Sequence, residues 1–342
     1  MDLNDKVILV TGGTGSFGRQ LTQTILGRWS PKKLIIFSRD EYKQLEMQRQ
    51  FSSPSLRFFI GDVRDVSRLH RAMHGVDFVI HAAAMKQVPA CEYNPFEAVK
   101  TNVLGAANVI EAAIDCGVPK VLAVSTDKAV NPVNLYGATK LCAEKLFVQG
   151  NAYAGSGGTI FSCARYGNVV GSRGSVIPVF VDQRTNGTVT VTDKRMTRFW
   201  ITLEQGAEFV IRCLSLMRGG EIFVPKIPSM RIMDLVTAIA PECQVRFTGI
   251  RPGEKIHEAL VSEDEAHHAV EYDNMYVIQP VKPSWHVEPL ANGTALAEGF
   301  QFTSDTNTHW LSVEELRGMA NEPGAPKPKP RRHAKKAVAG KL

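Results

Sequence analysis

Val7-Ile-Leu-Val10 is a short apolar, mostly β-branched run and reads as a buried strand. Glycines follow at positions 12, 15 and 18, and Arg19 to Leu26 reads as a helix. The alternation recurs. Leu34-Ile-Ile-Phe37 ends in Ser38-Arg39-Asp40, and Leu56 to Ile60 leads into Gly61-Asp62-Val63. Asp77 to Ile80 leads into His81-Ala-Ala-Ala-Met85-Lys86, and Val121 to Val124 into Ser125-Thr126-Asp127-Lys128. Residues 95–116 read as one long helix, apolar at 99, 103, 106, 107, 110, 113 and 114. This βαβ rhythm predicts an α/β fold: a doubly wound, Rossmann-type parallel sheet with helices on both faces. Ligands in such sheets bind beyond the carboxyl ends of the strands. The glycine loop, Ser38-Arg39, Asp62-Val63, Ala82 to Lys86 and Thr126 to Lys128 all fall there.

After Ile160 to Arg165 the rhythm breaks. Residues 167–200 are rich in Gly, Thr, Val and Arg, and residues 202–217 read as a helix. The expected organisation is a dinucleotide-binding domain over 1–170, to which the helix near 202–217 returns. A smaller interleaved substrate lobe spans 171–322, and a Pro-rich basic tail spans 323–342. Arg173, Arg195, Arg198, Arg251 and Lys255 supply phosphate partners to the second lobe.

Charge sharpens the division. The whole chain carries +6, yet the segment from Pro323 to Leu342 holds seven Lys and Arg and no acid, which leaves −1 for the rest. The tail is almost without large apolar groups and reads as disordered. It could touch anionic surfaces, but a solubilising extension is the preferred reading, and nucleic acid is not an expected partner. At 342 residues the chain can hold one large domain or two modest ones. No apolar run approaches the ~20 residues needed to span a bilayer. The first strand begins directly after Lys6, so no signal peptide is expected and the compartment is cytoplasmic. The six cysteines form no C-x-x-C pair, and His267-His268 stand without further ligands, so no metal site is expected.

The candidate chemistry lies at the strand tips. Glycines at 12, 15 and 18 permit a tight turn and let backbone N–H groups approach a pyrophosphate at a helix N-terminus. At the tip of the second strand an acid would hold a ribose hydroxyl, whereas a cation and a hydroxyl would hold a 2′-phosphate. Ser38, Arg39 and Lys43, beside Asp40, favour NADP. Tyr136 and Lys140 lie four apart on one helical face, where the ammonium can lower the phenol pKa. Thr126, Asp127 and Lys128 add a hydroxyl, an acid and a second amine. That is more acid–base equipment than hydride transfer alone requires, and it suggests redox and proton transfer on one substrate.

Together the loop from Thr11 to Gly18, Asp62-Val63, Asn102 and Tyr136-x-x-x-Lys140 resemble the extended short-chain dehydrogenase/reductase family, over roughly residues 5–320. Within it, Ser125 to Lys140, Ser38-Arg-Asp-Glu, Met196-Thr-Arg-Phe-Trp200 and Arg251-Pro-Gly-Glu-Lys255 are similar to the inverting UDP-N-acetylglucosamine 4,6-dehydratases of pseudaminic acid and capsule synthesis. So are Thr303-Ser-Asp-Thr-Asn307 and Trp310 to Leu316. In the retaining sugar dehydratases the acid is followed by Glu, and here Lys128 follows Asp127. The basic tail departs from the family pattern.

The resemblance implies catalysis by Thr126, Asp127, Lys128, Tyr136 and Lys140. Tyr136 deprotonates the sugar 4-hydroxyl, Lys128 removes the C-5 proton, and Asp127 protonates the departing 6-hydroxyl. These roles require a neutral Lys128 and a protonated Asp127. Implied NADP contacts are Gly12, Thr14, Gly15, Ser16, Phe17, Gly18, Ser38, Arg39, Asp40, Lys43, Asp62, Val63, Ala82, Ala83, Lys86, Asn102, Tyr136, Lys140, Val169, Val170, Gly171, Ser172 and Arg173. Lys86, Asn168, Val176, Arg251 and Glu254 would hold the UDP-sugar, and a homo-oligomer, dimer or hexamer, is implied. The alternatives are a retaining dehydratase or 4-epimerase on the same fold, and an NADP-binding scaffold that docks through its tail.

Overall fold

A computed structural model describes residues 1–321 apart from 156, 173–174, 282, 289 and 291. Arg173 and the tail from Pro323 to Leu342 lie outside the described residues.

The first half folds as its apolar rhythm dictates. Strands β1 (Val7–Thr11), β2 (Lys33–Ser38), β3 (Leu56–Ile60), β4 (Phe78–His81), β5 (Lys120–Thr126) and β6 (Ile160–Tyr166) pair in parallel, in the spatial order β3-β2-β1-β4-β5-β6. β1 is buried along its whole length, as a strand covered by helices on both faces must be. Helix α1 (Ser16–Arg28) follows β1, and α2 (Glu41–Gln50) follows β2. The strand order reverses between β1 and β4. Loops leaving those two strands diverge to opposite faces and open a crevice at the carboxyl edge.

The sheet is wider than its first six strands. Ile222–Pro225 adds in parallel to β6, and Met275–Ile278, Ala269–Tyr272 and Thr294–Ala295 follow antiparallel, for ten strands in all. Tyr272 and Met275 face each other across a tight hairpin whose first turn residue, Asp273, has φ +53°. Short polar Asp is among the few residues that tolerate this conformation. Leu260, Ala269, Met275, Val277 and Phe302 therefore pack in the main core. After residue 170 the chain crosses between the two cores several times. The second core gathers Val170, Ile177, Phe180, Val191, Trp200, Met230, Leu235 and Leu316.

The long helix expected over 95–116 comes in three pieces. Pro95–Val99 and Gly105–Asp115 are α-helical and flank a π-helical stretch, Lys100–Leu104. A π segment widens the turn and re-aims its side chains. Here it carries Thr101 and Asn102, both buried.

Candidate active site

A cleft of about 810 Å³ runs along the carboxyl edge of the sheet, and the second lobe forms its far wall. On the near wall the three glycines do different work. Gly12 has φ +66°, and a Cβ there would lie 2.9 Å from the Ala82 carbonyl and the Ala83 backbone. Gly15 is the N-cap of α1 and leaves that helix end without a side-chain cap. A Cβ on Gly18 would come within 2.3 Å of the Gly13 carbonyl, so this glycine lets α1 pack against the loop. That division matches the needs of a pyrophosphate-binding turn. At the tip of β2, Asp40 is already engaged: it caps α2 through the Lys43 N–H at 3.0 Å and pairs with the Lys43 ammonium. Ser38 is buried and accepts a hydrogen bond from Gln44 Nε2 at 3.0 Å, which leaves its own proton free to donate. Arg39 is 59% exposed and meets Asp62 at 3.6 Å.

β5 ends in Thr126, and a single 3-10 turn, Asp127–Ala129, follows. Thr126 Oγ1 donates to Asp127 Oδ1 at 2.9 Å, and Lys128 Nζ donates to the same oxygen at 3.0 Å. Helix Leu135–Ala154 is capped by Asn134, whose Oδ1 accepts from the Gly137 N–H at 2.8 Å. A Cβ at 137 would lie 2.1 Å from the Lys128 carbonyl, so glycine there lets the helix seat against the 3-10 turn. This contact brings Tyr136 to Thr126 and Lys128.

The cation beside Tyr136 is Lys128. Burial pushes the Tyr136 phenol up to about 12, while the Lys128 charge and a hydrogen bond with Thr126 pull it down. Lys140 instead donates to the Val124 carbonyl at 2.8 Å, and burial lowers its pKa below the usual lysine range. Lys140 ties the helix to β5, and its charge reaches His81. Burial first, and that charge second, hold His81 near 3. The neutral imidazole bonds to Thr11 Oγ1 at 2.8 Å beneath the glycine loop.

Lys128 is not neutral at rest. Although burial opposes its charge, Asp127 and then Glu258 hold the ammonium above the ordinary lysine range. Glu258 Oε1 lies 3.3 Å from Lys128 Nζ and 3.8 Å from Arg198 Nε. Glu258 escaped the sequence reading. The one available signal was an acid leading into the apolar run Ala259-Leu-Val261.

Among the described residues, seven buried side chains have a polar atom without a protein partner: Thr101, Ser125, Asp127, Asn168, Ser175, Trp200 and Glu258. All seven line this cleft. Buried polar atoms are seldom left unpaired, so their convergence marks a surface built to receive polar ligands.

Most of the anticipated residues line the cleft, including Lys86, Asn168, Val169, Ser172, Val176, Arg251 and Glu254. Asn102, Val170 and Gly171 are not in its lining. Val170 packs in the second core. Asn102 Nδ2 donates to the Met85 carbonyl at 2.9 Å and to Thr139 Oγ1 at 3.0 Å, and its Oδ1 accepts from the Met85 N–H at 2.8 Å. It fastens the 82–86 loop to the helix that carries Tyr136, and so acts on the cleft through that loop.

Residues 8–280 match the family described as polysaccharide biosynthesis protein. Over 327 residues the chain is 53% identical to a UDP-N-acetylglucosamine 4,6-dehydratase (inverting) of Campylobacter jejuni, covering 93% of this chain and 98% of that one. It is 45% identical over 324 residues to a UDP-glucose 4-epimerase of Rickettsia conorii, covering 92% and 95% respectively. Its fold matches the X-ray structure of Pen from Bacillus thuringiensis with a TM-score of 0.86 and 40% identity, over 94% of this chain and 98% of that one.

Proposed function

The chain belongs to the polysaccharide biosynthesis protein family, and on that footing we propose that it is an inverting UDP-N-acetylglucosamine 4,6-dehydratase, a hydro-lyase of surface-glycan synthesis. One observation carries the choice over a 4-epimerase. An epimerase needs proton and hydride chemistry only at C-4, for which Tyr136 suffices. This cleft adds an acid and an amine, Asp127 and Lys128, sharing one proton over 3.0 Å.

A nicotinamide dinucleotide, when bound, supplies a reversible hydride store. The glycine loop and the uncapped start of α1 would hold its pyrophosphate, with Asp62 and Val63 beside the adenine end. NADP is the favoured form. Asp40 is spent on Lys43, whereas Ser38 and Arg39 remain available to a 2′-phosphate. The cationic Arg251 and Lys86 would take the UDP moiety, with Glu254, Asn168 and Val176 around the sugar.

The side chains share the proton work. Tyr136 first releases its own proton to solvent, helped by Thr126 and the Lys128 charge, and as the phenolate takes the proton of the sugar 4-hydroxyl. Oxidation at C-4 makes the C-5 proton acidic. Moving the shared proton from Lys128 to Asp127 turns the resting ion pair into an amine and a carboxylic acid, with no exchange with solvent. The amine removes the C-5 proton, and the acid protonates the 6-hydroxyl, which leaves as water. That returns the pair to its charged state. Return of the stored hydride to C-6, with a solvent-derived proton added at C-5 from the opposite face, would give UDP-2-acetamido-2,6-dideoxy-β-L-arabino-hex-4-ulose.

We also assign the enzyme to the cytoplasm as a homo-oligomer. Tyr93 (87% exposed), Phe96 (79%) and Leu104 (52%) are exposed apolar side chains within a short stretch of chain, and this surface is offered as the subunit contact.

Incubation with UDP-N-acetylglucosamine in deuterated water tests the reading. The expected product has lost water and carries deuterium at C-5 with the L-arabino configuration. A 4-epimer with all its oxygens would overturn the dehydratase assignment. A dehydrated product with the original C-5 configuration would overturn inversion.

A further inference from the structure

We propose that Glu258, fixed in place by Ser304, is the positioning residue that holds Lys128 against Asp127 and keeps the pair's single proton in the cleft. The assignment rests on the dehydratase reading, because it gives the Asp127–Lys128 pair a third member.

The geometry is specific. Glu258 is 3% exposed, a costly place for a carboxylate unless a cation meets it. Its Oε1 is 3.3 Å from Lys128 Nζ and 3.8 Å from Arg198 Nε, while Oε2 is buried without a protein partner and lines the cleft. Arg198 has other tasks, since its guanidinium also donates to the carbonyls of Thr197, Ile256 and Lys255. The backbone beneath Glu258 is clamped on both sides. Its N–H donates to Ser304 Oγ at 2.9 Å, and its carbonyl accepts from the Ser304 N–H at 2.8 Å. Ser304 is fully buried and also bonds Thr197 Oγ1 at 2.7 Å. The Thr303-Ser-Asp-Thr-Asn307 segment, distant in sequence from every catalytic residue, thereby sets the position of a charge inside the site.

The consequence concerns protons. Two carboxylates face the Lys128 ammonium, Asp127 from its own turn and Glu258 from across the cleft. Arg198, Lys86 and Lys255 oppose its charge from the surrounding walls, and Tyr136 lies beside it. Asp127 is the nearer carboxylate and shares a hydrogen bond with Lys128 at 3.0 Å, against 3.3 Å for Glu258. Glu258 raises the proton affinity of the pair without being consumed, so the proton is retained between turnovers.

Removing the Glu258 charge lowers the pKa of Lys128. The pair then loses its proton at lower pH, and activity fails earlier on the alkaline side. The test uses Glu258→Gln and Glu258→Asp in the full-length enzyme with its cofactor. Turnover is read by product formation and by C-5 deuterium exchange, and C-4 oxidation by single-turnover cofactor absorbance. Glu258→Gln is expected to slow dehydration and C-5 exchange about 10–100-fold, leave C-4 oxidation within about threefold, and move the alkaline limb of the pH–rate profile to lower pH. Glu258→Asp keeps the charge but draws it back, so it should lose rate while the limb stays in place. Should Glu258→Gln fail to fold, Glu258→Asp decides alone, and wild-type turnover in it overturns the assignment. Wild-type rates and an unmoved limb in Glu258→Gln would do the same, as would equal losses in both steps. If the unaltered enzyme neither dehydrates the sugar nor exchanges C-5, the functional reading fails first, and this assignment falls with it.

Discussion

Lys128 makes the two halves of the chemistry separable. Tyr136, Thr126 and Lys140 do not depend on its side chain for their place in the fold, since Lys140 is held by the Val124 carbonyl and helix Leu135–Ala154 by Asn134. Lys128→Ala should therefore block elimination while slowing C-4 oxidation far less, through the lost pull of its charge on the Tyr136 phenol. Loss of a general base costs about 10²–10⁴-fold, and here the expected signature is reduced cofactor accumulating on the enzyme without release of dehydrated product. Rapid-mixing absorbance checks this, and an enzyme in which both steps fall together contradicts it. A second test at this scale concerns Arg39, which is exposed and held only at 3.6 Å from Asp62. Arg39→Ala should weaken NADP by about 1.5–3 kcal/mol, the range of a charge-assisted hydrogen bond, and weaken NAD much less. Equal weakening in a titration of both cofactors would remove the case for a 2′-phosphate. Tyr136, Lys140, Asp127 and Lys128 were legible because each pair is local, four apart on a helix or adjacent on a turn. Glu258 was not, because its partner lies on a remote segment and only the folded backbone brings them together. The same limit applies to the hydrogen-bond partner of Lys140. Spacing put Lys140 near Tyr136, but spacing cannot show that the Val124 carbonyl claims that ammonium.

At the scale of elements, the junction between the Arg251–Lys255 loop and the helix of Tyr136 is bonded twice. Asn134 Nδ2 donates to the Gly253 carbonyl at 2.8 Å, and Lys255 Nζ donates to the Val130 carbonyl at 2.6 Å. Asn134 also caps the helix, so one side chain joins the Arg251–Lys255 loop to the segment carrying the Tyr136 phenol. Asn134→Ala should cost about 0.5–2 kcal/mol of stability from the lost cap, read as a lowered Tm. It should also raise KM for the UDP-sugar, since Arg251 and Glu254 lose an anchor. A normal KM with a lowered Tm would confine Asn134 to capping. The strands of the first half were legible because buried parallel strands are near-continuous apolar runs. The π stretch at Lys100–Leu104 was not, because it sits within a run that keeps its helical apolar spacing. The hairpin joining Ala269–Tyr272 to Met275–Ile278 had a signal, Asp273-Asn274 between apolar runs. Its place at the edge of the main sheet had none, since strand order depends on partners far away in the chain.

For the molecule as a whole, charge is the property that the sequence shows most clearly. Residues up to 322 carry a net −1, and the whole positive excess belongs to the last 20. Among the described residues the body of the chain supplies the cleft with cations of its own, Arg198, Arg251, Lys86 and Lys255 among them. Catalysis should therefore be insensitive to the tail, and any attraction to polyanions should depend on it. A chain ending at Glu322 is expected to keep kcat and KM for the UDP-sugar within about twofold, since changes remote from a site usually leave it unaltered. The complete chain should be retained on a heparin or phosphocellulose matrix at low salt and released as salt rises. Each phosphate contact released contributes a slope of up to about −0.9 in log affinity against log salt on duplex DNA, so seven cations make that dependence steep. The shortened chain should pass through unretained, at a net charge near zero. Retention unchanged by the truncation would locate the anionic binding on the body, where the cleft is the richest source of cations, and competition by the UDP-sugar would then confirm that site. A large loss of turnover in the shortened chain, with Tm preserved, would show instead that the basic segment takes part in the working enzyme.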